Sequence, residues 1–305
     1  MSFDLEIEDY EEYKMIKNGP KKYLVTGGAG FIGTNLVKRL LADGHEVTSI
    51  DNYATGFHKN ELDGCKYLMW SIVNFENLKG MCKDFDAIFH MAALPRIKPS
   101  FENPKEVLEV NSNGTLNILE YARKHDIPVI YAGSSSFHGG VYKNPYTFTK
   151  WQGEELCKMY EKIYGLDITI CRFYNVYGDY MPESGEYRTV LPIFLEQYKN
   201  GNQLTITGDG HQRRDFTHVD DIVDAMVKVM ELKKYGHIFE LGKGKNYSIR
   251  ELVKMFPNCS FVFIPAIPGE ARNTLCESTE AMIELGWKPK VDLKEWINKK
   301  LDLHA

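Results

Sequence analysis

Apolar and polar residues follow one another along the chain in blocks that predict strands alternating with helices. The β-prone run 22–26 is followed by apolar residues at helical spacing, Leu36, Val37 and Leu40. Further apolar runs interpreted as strands lie at residues 45–50, 66–70, 86–93, 128–132 and 167–172. Strands that alternate with helices form parallel sheets with right-handed crossovers. The pattern therefore predicts an α/β fold built on a doubly wound parallel sheet.

Capping residues predict where the two longest helices begin and end. Asn103 and Pro104 open one helix that continues to about His125. The other begins near Tyr146 and ends at Gly165, a residue suited to a helix C-cap. Later in the chain we expect further elements: a helix at 191–198, a strand at 204–207, a helix at 222–226 headed by Asp220 and Asp221, and helices capped by Ser248 with Glu251 and by Asp292 with Glu295.

Composition and charge narrow the possible functions. A chain of 305 residues, 43% apolar and 26% charged, is typical of a globular protein of about two domains. The net charge of −5 leaves no basic stripe, so we expect no nucleic-acid partner. The six cysteines form no C-x-x-C pair, so we expect reduced thiols and no metal site. With no membrane-length apolar run and no secretory signal, the sequence favours a cytoplasmic protein without a membrane partner.

A glycine-rich segment between the first strand and the first helix predicts a dinucleotide site. Gly27 and Gly30 permit a tight turn and let backbone N–H groups approach a pyrophosphate, and Gly33 lets the helix lie against the strand. Asp51 ends the next strand, 18 residues after Gly33. A carboxylate there accepts hydrogen bonds from both ribose hydroxyls and repels a 2′-phosphate. The predicted cofactor is therefore NAD rather than NADP.

Tyr146 and Lys150 are the candidate catalytic pair. Residues four apart lie on one helix face, so the ammonium is expected near the phenol. To act as a base at neutral pH, a tyrosine needs its pKa lowered by about three units, roughly 4 kcal/mol, from Lys150 and a cationic nicotinamide ring. Ser134, at the end of the preceding strand, would hydrogen-bond the substrate oxygen. The alternative is an exposed tyrosine and lysine at a helix start.

Several ordered motifs resemble the extended short-chain dehydrogenase/reductase family, specifically its NAD-dependent nucleotide-sugar epimerases and dehydratases. The likeness runs from Tyr23 to about Trp296 and is closest in pattern to UDP-glucose and UDP-N-acetylglucosamine 4-epimerases. The motifs are the glycine loop 26–33, Asp51-Asn52, His90-Met-Ala-Ala93, Asn111 within 110–115, Tyr146 with Lys150, Arg172-Phe-Tyr-Asn-Val-Tyr-Gly178 and Arg214-Asp-Phe-Thr-His-Val-Asp-Asp221.

The resemblance implies a role for particular residues. Ser134, Tyr146 and Lys150 would form the catalytic set. The residues expected at NAD, besides Tyr146 and Lys150, are Gly27, Gly30, Phe31, Ile32, Gly33, Asp51, Asn52, Ser71, Ile72, Ala92 and Asn111. The resemblance also implies a UDP-linked nucleotide-sugar substrate, and the residues expected to bind it are Ser134, Ser135, Asn175, Arg214, Arg272 and Thr274. The helices at 104–125 and 147–164 would pair with their copies in a homodimer.

The resemblance also implies a division into domains. Residues 1–20 are read as an N-terminal tail, solvated or forming a peripheral helix. Residues 21–174 plus 216–244 would form the Rossmann-type NAD-binding domain. Residues 175–215 plus 245–305 would form a smaller α/β domain that binds the nucleotide sugar.

Among the activities of this family, the sequence favours 4-epimerisation. Dehydratases carry an acid just after the catalytic serine or threonine to protonate the departing hydroxyl, whereas this chain has Ser135 and Ser136. Decarboxylases that make UDP-xylose usually have Arg-Ser-Phe where this chain has Arg214-Asp215-Phe216. A UDP-glucuronate decarboxylase is therefore the second candidate, behind the 4-epimerase. A catalytically silent NAD-binding or RNA-binding relative is the third.

Three departures from the family pattern shape these expectations. The loop from Ser134 to Tyr146 is about half the family's length, so we expect an open sugar pocket that admits N-acetylhexosamines, with Thr274 leaving room beside carbon two. The family's Gly-Asp-Ile motif at the adenine is replaced by Trp-Ser-Ile at 70–72. The arginine that the family usually has two residues before Gly269 is replaced by Ile267.

His90 lies inside an apolar run and is interpreted as a packed histidine rather than a base.

Overall fold

Residues 19–302 are described by the computed structural model, so residues 1–18 of the predicted tail lie outside it. The strands are β1 (Lys22–Thr26), β2 (Glu46–Ile50), β3 (Cys65–Leu68), β4 (Ala87–His90), β5 (Val129–Ser134), β6 (Ile168–Phe173), β7 (Val176–Tyr177), β8 (Leu204–Thr207), β9 (Arg213–Asp215), β10 (Thr217–His218), β11 (Ile238–Leu241), β12 (Asn246–Ser248) and β13 (Phe261–Ile264). Seven of them form one sheet in the order β11-β6-β5-β4-β1-β2-β3. Every pairing in it is parallel, which confirms the predicted doubly wound α/β sheet.

Helices pack on both faces of this sheet and around a third core in the second half of the chain. They are α1 (Phe31–Ala42), α2 (Phe75–Lys79), α3 (Ile97–Glu102), α4 (Pro104–Leu108), α5 (Thr115–His125), α6 (Pro145–Tyr164), α7 (Val190–Lys199), α8 (Val219–Glu231), α9 (Ile249–Val253), α10 (Glu280–Leu285) and α11 (Leu293–Lys300). Successive residues of a strand point to opposite faces, so Tyr23 and Val25 pack into one core while Leu24 packs into another. Apolar runs without alternation are what a sheet buried on both faces requires.

The caps that bound α6 follow the sequence prediction. The Asn144 side chain accepts a hydrogen bond from the N–H of Thr147 at 2.8 Å, and Pro145 occupies the first turn. Gly165 ends the helix with φ 68°. Ser248 and Glu251 form the predicted capping box of α9. The start of α6, which carries Tyr146, is therefore fixed against the sheet edge.

The predicted helix from Asn103 to about His125 is wrong in one respect. A π-helical turn at Glu109–Gly114 separates α4 from α5. The turn places the Asn111 side chain between two partners, since its Nδ2 donates to the Leu94 carbonyl at 3.1 Å and to Thr149 Oγ1 at 3.1 Å. These contacts hold an extra residue inside the helix, as is common at functional sites.

Two predicted strands end earlier than the apolar pattern suggests. The third strand stops at Leu68 because the Trp70 N–H turns back to the Leu68 carbonyl at 2.8 Å. The fourth stops at His90 because the Ala92 N–H donates to Thr26 Oγ1 at 3.1 Å instead of continuing the strand ladder. Side-chain and turn hydrogen bonds therefore end both strands at the carboxyl edge of the sheet.

A third core lies beyond the carboxyl edge of the sheet, in the second half of the chain. It contains Tyr177, Phe194, Phe256 and Trp296 and is bordered by three two-stranded sheets, β10-β7, β12-β9 and β13-β8. The domain boundaries stay a prediction. No helix in residues 19–302 is long and apolar enough to cross a membrane.

Candidate active site

The glycine loop lies where β1 ends and α1 begins. Neighbouring atoms lie so close to two of its glycines that these positions have no room for a side chain. Gly27 has φ 74°, and a Cβ there would lie 2.9 Å from the Cα and N of Ala92. A Cβ on Gly33 would lie 2.0 Å from the Gly27 carbonyl oxygen. The loop therefore presents bare backbone at the N-terminus of α1. This surface fits a dinucleotide pyrophosphate.

Asp51 is held beside this loop in a fixed orientation. Its Oδ2 accepts from the Ala29 N–H at 3.0 Å and its Oδ1 accepts from the Tyr53 N–H at 2.8 Å. Burial raises the pKa of Asp51, and the two N–H donors oppose the rise. A carboxylate in this place provides further acceptor lone pairs for ribose hydroxyls. The residues present therefore fit the adenosine half of NAD.

His90 is a packed side chain, as expected, rather than a catalytic base. It is 1% exposed, with Nδ1 2.7 Å from Thr26 Oγ1 and Nε2 3.0 Å from Thr115 Oγ1. Burial lowers its pKa to about 3, and the Lys150 charge adds to this. A neutral histidine here ties β1, β4 and α5 together directly beneath the glycine loop.

Tyr146 and Ser134 meet at the carboxyl end of β5. Burial raises the pKa of Tyr146, while a hydrogen bond with Ser134 and the charge of Arg96 lower it, with a net rise. Ser134 Oγ also donates to Ser136 Oγ at 2.9 Å. The protein groups alone therefore leave the Tyr146 phenol protonated at neutral pH, and a cationic nicotinamide ring is needed to shift it.

Lys150 lies one helical turn beyond Tyr146 and is buried. Its Nζ is 4.4 Å from the centre of the Tyr131 ring. Burial lowers the pKa of Lys150 to about 8, and the Glu154 carboxylate opposes this. A lysine with this pKa can lose or regain a proton near neutral pH.

Glu154 begins a line of alternating charges that runs from Lys150 to the far wall of the cleft. Its carboxylate, 0% exposed, binds Arg172 through Nε at 3.0 Å and Nη2 at 2.6 Å. Arg172 Nη1 reaches Glu240 at 2.9 Å, and His138 Nε2 lies 2.9 Å from the same carboxylate. Each buried charge has an opposite neighbour, which satisfies the requirement for burying them.

A cavity of about 430 Å³ opens beside Ser135, the residue after Ser134. Its wall includes Ser135, His138, Tyr174, Glu240 and Thr274. The short loop after Ser134 forms a 3₁₀ turn at 135–139 that borders this space. Two of the predicted substrate residues, Ser135 and Thr274, are therefore brought to one cavity.

Thr274 and Asn175 are bonded to each other beneath that wall. Asn175 Nδ2 donates to Thr274 Oγ1 at 3.0 Å and to the Asp215 carbonyl at 3.1 Å. The Asp215 carboxylate accepts from the N–H groups of Lys243, Gly244 and Cys276. Asp215 therefore shapes the backbone around the cavity and turns its charge away from the cleft.

Two predicted substrate arginines differ in their surroundings. Arg214 is largely buried, donates to its neighbour's carbonyl, and its Nη2 is 3.3 Å from Glu270 Oε2. Burial lowers the pKa of Arg214, and Glu270 opposes this. Arg272 is exposed and makes a two-pronged ion pair with Asp209 at 2.8 and 2.7 Å. Arg214 is therefore held against Glu270, whereas Arg272 would have to leave Asp209 to bind a diphosphate.

Other predicted cofactor residues face protein partners. The polar atoms of Asn111 bond to Leu94 and Thr149, Ser71 accepts from the Val73 N–H, and Asn52 accepts from the Ala54 N–H. Ile72 is buried, and Phe31 and Ile32 are partly buried at the start of α1. Their contacts with NAD stay predictions.

Four charged residues of the site were missed by the sequence interpretation. Glu154 has a sequence signal, because it follows Lys150 by one further helical turn. Arg96 follows the end of β4, and the carboxyl end of a parallel strand is where ligands bind. Glu240 and Glu270 have no comparable signal, since only the tertiary fold brings them to the cleft.

Comparison with known proteins places these observations in a family. The model of the NAD dependent epimerase/dehydratase family matches residues 23–242. A UDP-glucose 4-epimerase of Mycolicibacterium smegmatis is 34% identical over 307 residues, covering 92% of this chain and 97% of that protein. A UDP-N-acetyl-alpha-D-glucosaminuronate decarboxylase of Bacillus cytotoxicus is 33% identical over 254 residues, covering 77% and 78%.

A solved structure gives the same result for the fold. The crystal structure of a UDP-glucose 4-epimerase from Thermotoga maritima, with UDP-glucose, superimposes with a TM-score of 0.88 at 29% identity, covering 92% of this chain and 98% of that one. The family resemblance, the fold and the NAD cofactor expected from the sequence are confirmed. The glycine loop, the Asp51 carboxylate and the Ser134–Tyr146–Lys150 arrangement therefore belong to a member of the NAD-dependent epimerase/dehydratase family of enzymes.

Proposed function

We propose that this enzyme epimerises carbon four of a UDP-linked hexose through a transient 4-keto sugar. The observation that carries the proposal is the placement of the Tyr146 phenol beside Ser134 at the carboxyl end of β5, with Lys150 buried one helical turn away. This arrangement can take one proton from a sugar hydroxyl and return it. UDP-glucose, UDP-galactose and their N-acetylhexosamine counterparts are the first candidate substrates, and the cavity of about 430 Å³ supports the acetylated ones.

In the proposed mechanism, Tyr146 receives the proton of the sugar hydroxyl while Ser134 holds its oxygen. NAD, held by the glycine loop and Asp51, would supply a reversible hydride acceptor, so the reaction would need no net oxidant. Lys150, buried one helical turn from Tyr146, would stabilise the phenolate with its charge until the proton returns to the sugar oxygen. Rotation of the keto sugar before the hydride returns would give the other epimer, and the roomy cavity beside Ser135 supports such a rotation.

The diphosphate of the substrate would lie at Arg214, with Arg272 joining after it leaves Asp209. Arg214 is partly desolvated, so its attraction to a phosphate is little weakened by water. Asn175 and Thr274 would shape the wall against which the sugar rests. These substrate contacts are part of the proposal.

Loss of carbon dioxide from a UDP-hexuronate is the second candidate activity. The similarity to a decarboxylase of Bacillus cytotoxicus favours keeping it. Asp215 does not decide between the two, because its carboxylate is bonded to three backbone N–H groups. Dehydration is less well supported, since Ser135 and Ser136 follow Ser134 where an acid would be needed.

Mass spectrometry with chromatography of the products tests the proposal directly. The NAD-loaded enzyme is incubated with UDP-, dTDP- and GDP-linked sugars, including the acetamido and uronic acid forms. A new isomer of unchanged mass supports the epimerase. Loss of carbon dioxide or water would replace it with a decarboxylase or a dehydratase. Untouched sugars with retained NAD would favour a catalytically silent relative.

We also propose that the enzyme is a homodimer built on α4–α6. Leu108 on α4 and Met159, Ile163 and Tyr164 on α6 expose apolar side chains, with Ile163 63% exposed. Ile163→Glu is expected to shift the mass measured by light scattering from twice the chain mass of 35.1 kDa toward one. A single-chain mass in the unchanged protein would contradict the proposal.

A further inference from the structure

Arg96 has a backbone conformation that is unusual for any residue except glycine. It lies between β4 and α3 with φ 90° and ψ 140°. A side chain in this region costs on the order of 1–3 kcal/mol, and such residues persist where the surroundings hold them, often at ligand sites. Arg96 follows the carboxyl end of β4, and its charge lies close enough to act on Tyr146.

The Arg96 side chain is anchored at one point, and the remainder of its guanidinium is left free to bind. Nε donates to the Tyr187 carbonyl at 3.0 Å. Within residues 19–302, neither Nη1 nor Nη2 has a hydrogen bond or an ion pair shorter than 4.0 Å. Burial lowers the pKa of Arg96, and the nearby Tyr146 and Glu270 oppose the fall, so the charge is kept. A partly buried arginine with two free nitrogens suits an anion better than a neutral group.

Glu270 lies close enough to Arg96 to act on its charge, and the backbone of the Glu270 segment is held in place. The Asn144 side chain, which caps α6, donates to the Gly269 carbonyl at 3.3 Å. A Cβ on Gly269 would lie 3.3 Å from the ring of Phe101 on α3, so this segment is packed against α3. Glu270 in turn binds Arg214 at 3.3 Å. The segment therefore links the Tyr146 end of the cleft to its diphosphate end.

The two arginines serve different ends of the cleft. The Arg96 charge acts on Tyr146, the residue proposed to contact the hydroxyl on carbon four, whereas Arg214 is paired with Glu270. Glu270 acts electrostatically on Arg96 but is ion-paired with Arg214, so the Arg96 charge has no ion-pair partner among residues 19–302. A neutral hexose offers that charge no counterion.

We propose that Arg96 binds the carboxylate on carbon six of a uronic acid, so that the preferred substrate is a UDP-hexuronate rather than UDP-glucose. This inference rests on the proposed function, because it assumes that Tyr146 faces carbon four of the sugar. The carboxylate and the carbon-four hydroxyl are neighbours on the ring, separated by carbon five. The free Nη1 and Nη2 pair would hold both carboxylate oxygens in the two-pronged geometry that arginine favours.

Kinetics with two matched sugars tests the assignment. The NAD-loaded enzyme and its Arg96→Gln variant are assayed with UDP-glucuronate and UDP-glucose. Glutamine keeps a non-glycine side chain at the strained position, so both proteins bear a similar backbone cost. We expect kcat/KM of the unchanged enzyme to favour UDP-glucuronate. The variant should lose roughly 10-fold to 150-fold more with UDP-glucuronate than with UDP-glucose, whose own loss reports the effect of the Arg96 charge on Tyr146.

Arg188→Gln is the control. Arg188 lies in the same segment as Tyr187, but its guanidinium is paired with Glu196. We expect Arg188→Gln to leave the ratio of kcat/KM for UDP-glucuronate to kcat/KM for UDP-glucose unchanged. Titration calorimetry in a Tyr146→Phe background measures binding without turnover, and UDP alone should bind equally well with and without Arg96.

The outcomes separate this proposal from the proposed function. If Arg96→Gln lowers kcat/KM equally with both sugars and shifts the pH profile, Arg96 supports Tyr146 and does not bind a carboxylate. Equal affinity of the unchanged protein for both sugars would overturn carboxylate binding as well. Preferential binding of UDP-glucuronate through Arg96, with release of carbon dioxide or with no turnover, would support the Arg96 assignment while the epimerase proposal fails.

Discussion

The two ends of the cleft are built in different ways. At the NAD end, backbone lies close against backbone, since a Cβ on Gly33 would be only 2.0 Å from the Gly27 carbonyl oxygen. Two backbone N–H groups hold the Asp51 carboxylate there. At the sugar end, a cavity of about 430 Å³ is bordered by charged side chains such as Glu240. A tight backbone surface suits one invariant cofactor, whereas movable side chains can be exchanged to suit different sugars.

Removing the Tyr146 hydroxyl should separate the two ends most clearly. Tyr146→Phe is expected to lower turnover roughly 10²-fold to 10⁴-fold, because it deletes the positioned acid and base. NAD content, measured after denaturation, should be unchanged. Tyr142→Phe, at an 82% exposed tyrosine four residues away, is the control. Turnover of Tyr146→Phe within a few-fold of the control would remove Tyr146 from the mechanism.

Replacing Asp51 tests the NAD end by its choice of cofactor. Asp51→Ala should weaken NAD binding roughly 10-fold to 150-fold, the range for hydrogen bonds to a charged group, and improve the relative affinity for NADP. Calorimetry with both dinucleotides measures the change. Asp63→Ala, at a carboxylate on the loop before β3, is a surface comparison. If the preference for NAD is unaltered, the ribose contact lies elsewhere.

The close contact at Gly33 predicts a smaller effect, which should appear in the free energy of unfolding as well as in NAD affinity. Gly33→Ala forces the added methyl group against the Gly27 carbonyl oxygen, and overpacking of this kind costs about 1–3 kcal/mol. Thermal unfolding and NAD titration should both report the loss. Gly80→Ala is matched, because its Cβ would lie 4.0 Å from the nearest atom. Equal behaviour of the two variants would contradict the argument from close packing.

His90 supplies an effect that appears only as the pH falls below about 6.5. Its folded pKa of about 3 lies below the unfolded value near 6.5, so the folded state binds fewer protons between these values. Stability should therefore fall as pH falls from about 6.5 toward 3, by at most about 1.4 kcal/mol per pH unit. In denaturant titrations, His90→Asn should lack this part of the slope. Parallel pH profiles for the two proteins would mean that His90 is charged in the fold.

The sequence predicted the cofactor end more completely than the sugar end. Gly27, Gly33 and Asp51 are close in sequence and obey local rules of turn and strand geometry, so their arrangement could be read from spacing. The π-helical turn around Asn111 could not, because its cause is a contact with Leu94 and Thr149. Local patterns favoured one unbroken helix there.

At the sugar end, the decisive contacts join residues far apart in sequence. Arg214 meets Glu270, 56 residues later, and Arg172 meets Glu240, 68 residues later. A charged residue in isolation is most simply read as solvated surface, so neither glutamate is distinguished before the chain is folded. The strand Phe261–Ile264 did have a signal, four successive apolar residues, and was nevertheless not predicted.

The hydrogen bond from Asn144 to Gly269 has a consequence for how the enzyme is made. A ribosome releases the chain from its N-terminus, and folding units assemble in that order. The glycine loop, Asp51 and α6 are synthesised well before residue 269 emerges. The wall of the cleft that Glu270 contributes is therefore added after the glycine loop, Asp51 and α6 have been made, at the same stage as Ala281, Leu285 and Trp287 complete the core against the sheet.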